Sequence, residues 1–284
     1  MKKAILILAI LIGVSSIGIS QKNTYQSWNV VASQRAGQLN VMYFDNFPFA
    51  YSNEKGEVIG IEADILREFS KWLKEYKGVQ LNLNFKKYEG FSTFYSSITD
   101  GGNGMIGAGS VSISKEREGK VQFSSPYLNN VSVLVSPMGF NSLIYLEEFN
   151  DVFKGKTALV VKGSSHERNL MKIKEDYYPE MQISYVKSPK ELLIKMKDSD
   201  EYYGYVDIIT YWAFTQEQGS VLRLHRVADV RKEQFGFIFP PNSDWNKIFL
   251  EFMVGGFGFS STAEYHKILD TYLDVRITSE VEMK

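Results

Sequence analysis

Apolar positions along this chain fall into two alternating rhythms. Leu39 to Phe44 reads as a strand. A proline-bearing loop comes next, Asp45-Asn46-Phe47-Pro48-Phe49-Ala50-Tyr51, and then a hairpin tip at Asn53 to Gly56 between Tyr51 and Val58. Ile65, Phe69, Trp72, Leu73 and Tyr76 recur at helical spacing, which predicts an amphipathic helix over Glu62 to Lys77. Leu81, Leu83 and Phe85 alternate with the period of a strand, and a helix from about Gly90 to Thr99 stops at Asp100-Gly101-Gly102. A short strand carrying Ser110 and Ser112 leads into a turn at Arg117, and Phe123 to Tyr127 reads as a strand that Pro126 stops. The second half repeats this grammar. It has strands at Thr157–Val161, Ile183–Val186, Tyr203–Val206 and Phe235–Phe239, with helices at His166–Asp176, Glu191–Lys197 and Ile208–Glu217. Two helices, Asp244–Met253 and Thr262–Leu273, are expected to close the chain. Strands alternating with helices in this way predict α/β layers built on mainly parallel sheets.

Composition narrows the picture. A chain of 284 residues can bury two modest cores, so two domains are expected. Its 44% hydrophobic and 23% charged residues are those of a globular protein. A net charge of −1 supplies no electrostatic footprint for nucleic acid or for an anionic membrane. Met1 to Ser20 has the plan of a signal peptide: Lys2 and Lys3, an apolar stretch from Ala4 to Val14, and small residues Gly18 and Ser20 before Gln21. The apolar stretch falls short of the ~20 residues that span a bilayer, so cleavage is expected rather than anchoring. The mature chain is then a soluble protein of the periplasm or exterior. Cysteine is absent, which removes disulfides, thiolate metal sites and cysteine nucleophiles from consideration. It also removes a lipid-modified cysteine anchor.

The stretch Ser112-Ile-Ser-Lys-Glu-Arg117-Glu-Gly-Lys-Val-Gln-Phe-Ser-Ser-Pro-Tyr127 carries the chemistry. An arginine keeps its charge and offers a fork that matches a carboxylate with two parallel hydrogen bonds. The four residues Lys115 to Glu118 alone would read as a surface charge cluster. With the flanking serines and Pro126-Tyr127, the block resembles the "small-hydroxyl, Ile-Thr-x-x-Arg, then Phe-Ser-x-Pro-Tyr" signature of the family 3 extracellular solute-binding proteins, the periplasmic amino-acid receptors. Two further blocks resemble that family in the same order. They are Phe47-Pro48-Phe49-Ala50-Tyr51, similar to its Pro-Pro-Phe signature, and Gly60-Ile61-Glu62-Ala63-Asp64-Ile65, similar to its Gly-Phe-Asp-Val-Asp signature.

The resemblance implies a two-lobed, type II periplasmic-binding-protein fold that traps a small amino acid or related carboxylate by hinge closure. Delivery to the permease of an ABC transporter is the family's usual role. Residues 1–20 are then the signal peptide and 21–37 an N-terminal extension. Residues 38–133 with 236–284 form a discontinuous first lobe and 134–235 the second. The chain is expected to cross near Val131 to Ser136 and to return near Phe235 to Phe239. A carboxylate corner should form from Arg117, Ser112 and Ser110, joined by the turn Gly163-Ser164-Ser165, where a helix N-terminus favours anions. The alternative for that turn is an ordinary N-cap. Asp207 should meet the ligand's ammonium, since it ends a strand where open α/β sheets bind ligands; here too the alternative is an N-cap. Tyr202 stands where the family carries a second Asp. Phe47 falls at the family's stacking tyrosine and Tyr88 at its tryptophan, against the plain alternative of core packing.

Other patterns are set aside. Gly102-Asn103-Gly104-Met105-Ile106-Gly107 has dinucleotide-type spacing but comes after a helix and enters a strand, the reverse of the required context. His166, His225 and His266 lie far apart and read as surface or capping residues. No cofactor or metal set is indicated. The rival function is enzymatic: cyclohexadienyl dehydratases are similar to the same family and act on a prephenate-like acid, which would still use Arg117. A third reading is a receptor that presents its ligand to a sensor.

Overall fold

The computed structural model of the chain describes residues 25–283, so the expected signal peptide lies outside the described residues. The chain opens with α1 (Trp28–Gln34), β1 (Ala36–Phe44), a small hairpin of β2 (Tyr51–Ser52) and β3 (Val58–Ile59), α2 (Ile61–Lys77) and β4 (Gln80–Tyr88). It continues with α3 (Phe91–Thr99), β5 (Met105–Ser112), β6 (Gln122–Phe123) and β7 (Leu128–Pro137). The next elements are α4 (Phe149–Phe153), β8 (Thr157–Val161), α5 (Ser165–Asp176), β9 (Gln182–Val186), α6 (Pro189–Asp198) and β10 (Tyr202–Asp207). After α7 (Ile208–Gln218), β11 (Leu222–Leu224) and β12 (Val230–Phe239), the helices α8 (Trp245–Val254), α9 (Ala263–Tyr272) and α10 (Val275–Val281) end the chain.

Local chemistry accounts for the main elements. α2 begins at Gly60, carries Glu62 and Asp64 in its first turn and Lys74 and Lys77 in its last, and stops at Gly78, whose φ of 64° lets its N–H reach back to Leu73 O. Its apolar stripe of Ile61, Ile65, Leu66, Phe69 and Leu73 is buried. Residues 39–44 of β1 are buried without interruption, as expected of a strand covered on both faces.

The strands form one curled sheet in the order β4-β1-β5-β12-β7-β10-β8-β9. Its flanks are parallel: β1 lies between β4 and β5, and β8 between β10 and β9. Between the flanks the long strands β7 and β12 run antiparallel to each other, with Glu233 opposite Asn130 and Phe235 opposite Leu128. These strands contain the segments near which the chain was expected to cross and to return, and the later part of β12 pairs with β5 and β6. The β7–β12 register shifts between Val230 and Glu233, where Lys232 has a φ of 71°.

The structure departs from the sequence reading at several places. Residues 21–37 are not simply an extension, because α1 lies within them. Ser27 caps it, Trp28 packs edge-on against Trp245 at 5.5 Å, and Asp244 accepts from Trp28 N at 2.8 Å. A third closing helix, α10, comes after the two expected. Beyond Phe123 there is no strand up to Tyr127, because Ser124 turns its hydroxyl to accept from Phe237 N (3.0 Å) and Pro126 has no N–H to give.

Candidate functional site

The carboxyl ends of the parallel strands bring the candidate residues together. Ser112 ends β5, Asp207 ends β10, and Gly163-Ser164-Ser165 comes after β8. Arg117 closes a turn after β5, its N–H donating to Ser114 O at 3.1 Å. Its side chain is buried, at 7% exposure, against the stacked rings of Phe91 and Tyr95, each 5.4 Å from the guanidinium carbon. Nη1 donates to Ser112 O and Nη2 to Gly163 O, both at 2.9 Å. Among the described residues no carboxylate stands within ion-pair distance of Arg117. Burial pulls its pKa down from the usual value, yet the guanidinium remains a cation.

The serines divide the work. Ser112 Oγ donates to Ser165 Oγ at 3.2 Å, joining the two halves of the sheet. Ser110 sits at a φ of 45°, an uncommon conformation for a residue with a side chain. Two bonds hold it there: Asn46 Nδ2 donates to its Oγ at 2.8 Å, and its N–H donates to Glu62 Oε1 at 3.0 Å. Glu62 is fully buried and also accepts from Tyr127 OH at 2.8 Å; burial pushes its pKa up to about 7 against these bonds. Ser164 caps α5, accepting from Glu167 N at 3.3 Å, while Glu167 Oε2 accepts from Gly163 N at 2.6 Å. This capping takes up the N–H groups of Gly163 and Glu167, not those of Ser165 and His166 in the first helical turn.

Asp207 precedes α7 at the N-cap position but makes no capping bond. Its Oδ1 accepts from Asn130 Nδ2 at 2.6 Å and lies 3.2 Å from His166 Nε2. His166 was expected at the surface or as a cap. Instead it is buried at the mouth of α5, and the electrostatics of the cleft reach it: burial and Arg117 lower its pKa, but Asp207 and Glu233 outweigh them and leave it raised. His225 is also buried, its ring between Ser136 Oγ (2.8 Å) and Leu143 N (3.1 Å), and burial pushes it down to about 4. His266 alone is half-exposed, beside Glu282.

Two cavities open between the halves. The smaller, about 30 Å³, is walled by Phe91, Ser112, Arg117, Ser165, His166 and Asp207. The larger, about 210 Å³, is lined by Phe47 and Tyr51 on one side and by Lys190, Thr210 and Phe214 on the other. Asn46 borders both. Phe47 is thus at the cleft, half-exposed and edge-on to Tyr51 at 5.0 Å. Tyr88 lines neither cavity and ends β4 with Lys86 over its ring, whereas Phe91 lines the smaller one. Sequence reasoning thus missed Asn46, Phe91 and His166. Phe91 carried a signal in opening the aromatic helix α3, Asn46 in adjoining Phe47, and His166 in coming directly after Ser165.

Comparison with known proteins places this geometry. Structural similarity extends to an ancestral arginine-binding protein bound to arginine (22% identity, TM-score 0.66, covering 84% of this chain and 99% of that one). It extends also to an ABC uptake transporter substrate-binding protein from Streptococcus pneumoniae with bound histidine (17%, TM-score 0.69, 86% and 95%). A third similar structure is the GluR0 ligand-binding core from Nostoc punctiforme in complex with L-glutamate (20%, TM-score 0.65, 83% and 99%). At these identities the likeness is one of fold, the two-lobed periplasmic-binding-protein fold. No curated protein matches the chain by sequence. The sequence profile of the bacterial extracellular solute-binding proteins, family 3, matches residues 39–248, and the chain belongs to that family.

Proposed function

We propose that this protein is an exported receptor that captures a free amino acid between its lobes by hinge closure and hands it to a membrane transporter. One observation carries the reading: Arg117 is a buried cation in the cleft with no carboxylate of the described residues in reach. A buried charge needs an opposite one to offset desolvation, and a ligand carboxylate supplies it. In this reading the lobes are residues 38–133 with 236–284, and 134–235. Arg117, Ser112 and the N–H groups of Ser165 and His166 take the α-carboxylate, with Ser110 and Ser164 shaping the corner. Asp207 takes the α-ammonium. Phe47 and Phe91 flank the side chain of the bound amino acid. The named ligands of the three similar structures support this, because arginine, histidine and glutamate share only their α-ammonium and α-carboxylate. Export and transporter delivery are inferred from the family.

The test is a thermal-shift screen of the secreted protein against the free amino acids. A ligand at 100 times its Kd adds about 2.7 kcal/mol of stability. A screen in which no amino acid raises Tm would sink the reading.

One observation favours the enzyme as a second reading. An imidazole and a carboxylate, His166 and Asp207, stand side by side in the cleft, and both are residue types that act in general acid–base catalysis. Incubation with prephenate or arogenate, watching for phenylpyruvate or phenylalanine, decides it.

A further inference from the structure

His166 is the second residue of α5, at the end where the helix dipole opposes a cation. Its ring nevertheless stands against a carboxylate. Nε2 lies 3.2 Å from Asp207 Oδ1, and both side chains are more than nine-tenths buried. Nε2 makes no aligned hydrogen bond, so the imidazole stands beside the carboxylate without a directional bond to it. The groups that face His166 come from each neighbouring element: Asp207 from β10, Glu233 from β12, and Arg117 from the turn after β5. On α5 itself Arg168 reaches over to Glu233, 3.8 Å away. Glu233 is further held by Ser132 Oγ at 2.6 Å and by Asn130 Nδ2 at 3.1 Å, so one amide bridges both carboxylates. Burial and Arg117 lower the pKa of His166, and the two carboxylates outweigh them and leave it raised.

We propose that His166 is a specificity-determining residue: its imidazolium stands where a ligand's α-ammonium would meet Asp207, so the cleft takes an amino acid with His166 neutral and a plain carboxylic acid with His166 protonated. The inference rests on the amino-acid reading of Arg117 and Asp207. Two cations brought to one desolvated carboxylate repel, and the imidazole is the one that can shed its charge. An amino acid therefore releases a proton from His166 as it binds. A 2-hydroxy acid has no ammonium, leaves the imidazolium on Asp207 and gains a second cation near its own carboxylate. Linkage then drives the two affinities in opposite directions with pH, each by up to about tenfold per unit on the relevant side of the His166 pKa.

The experiment is calorimetry of the secreted protein with matched pairs: L-alanine and L-lactate, L-leucine and L-2-hydroxyisocaproate, L-phenylalanine and L-phenyllactate. Each pair is titrated from about pH 5.5 to about pH 8.5, in buffers of different ionisation heat that count protons. For a pair that binds, the preference for the amino acid should grow at least about tenfold from the acid to the alkaline end, with close to one proton released per amino acid in acid. His166→Gln should flatten that profile, and His166→Asn serves if the first variant does not fold. Ligand-free protein gives an independent readout by NMR: the His166 imidazole should titrate above its ordinary value, and Asp207→Asn should lower it. A preference constant with pH, with no proton release while amino acids still bind, would overturn the inference and leave the amino-acid reading standing. Binding of hydroxy acids alone at every pH would remove the amino-acid reading and this inference together. The NMR titration would still report whether His166 is charged against Asp207.

Discussion

Arg117 and Asp207 differ in how the protein itself meets their charge, and that difference sets what mutation should do. Arg117 rests on two backbone carbonyls and two rings, while Asp207 already has Asn130 and His166. Arg117→Ala should therefore weaken amino-acid binding by about 2–5 kcal/mol, the usual effect of leaving a buried ligand charge unpaired. Calorimetry with a matching Tm for the ligand-free protein checks it; affinity within twofold of wild type would take Arg117 out of the site. Behind this corner, Glu62 makes a second expectation, about stability. Its pKa is raised from 4.5 to about 7 by burial, so the folded protein holds a proton that the unfolded chain releases between those values. The stabilisation is full below 4.5 and is lost as pH rises through about 7, a change of about 3 kcal/mol. His166 acts with the same sign, so a variant is needed to isolate Glu62. Glu62→Gln keeps an acceptor for Tyr127 and Ser110 but cannot titrate. Urea unfolding at about pH 5 and about pH 8 should show wild type losing about 3 kcal/mol more than the variant. Equal losses in the two proteins would mean that Glu62 titrates as an ordinary carboxylate.

At the scale of elements, the legible parts of the sequence were those whose signals are local. α2 announced itself by periodic apolar residues, and the turn before α5 by Gly163-Ser164-Ser165. α1 and α10, of seven residues each, were not legible because distant groups hold them. Asp244 and Trp245 secure the first, and Trp212 Nε1 donates to the Asp274 cap of the second at 3.2 Å. His166 was unreadable for a related reason: its meaning comes from Asp207, on another strand. Phe91 rather than Tyr88 lines a cavity of the cleft because Tyr88 still belongs to β4, whereas Phe91 opens α3 and faces Arg117. The N-terminus of α5 also yields a test that separates capping from ligand binding. Ser164→Ala removes a cap and should lower stability by about 1 kcal/mol in urea unfolding, with a small effect on affinity. Ser165→Ala removes the hydroxyl that meets Ser112 across the cleft and should act mainly on affinity, read by calorimetry. The reverse pattern would make Ser165 structural and put Ser164 in contact with ligand.

For the whole molecule, closure depends on how near the two halves can come, and Gly90 lies where they meet. Gly90 precedes α3, which packs against β1, β4 and β5; Lys187 lies between β9 and α6 in the other half of the sheet. A Cβ on Gly90 would lie 2.8 Å from the Lys187 carbonyl oxygen, a backbone atom that cannot swing aside. The backbone at Gly90 is fully extended, with φ 177° and ψ 179°, a conformation open to any residue. A side chain there is therefore not strained by its own dihedrals; its conflict is with the opposite half. Gly90→Val should accordingly leave the Tm of the ligand-free protein within a few degrees of wild type while propping the halves apart. The contacts that join the halves, Ser112 to Ser165 and Arg117 to Gly163 O, would then be held open. Amino-acid affinity should fall at least about tenfold, or about 1.4 kcal/mol. Small-angle scattering reports the cause directly, because wild type should shrink when ligand is added and the variant should not. A variant that binds and compacts like wild type would show that the halves close along a path that does not bring Gly90 to Lys187.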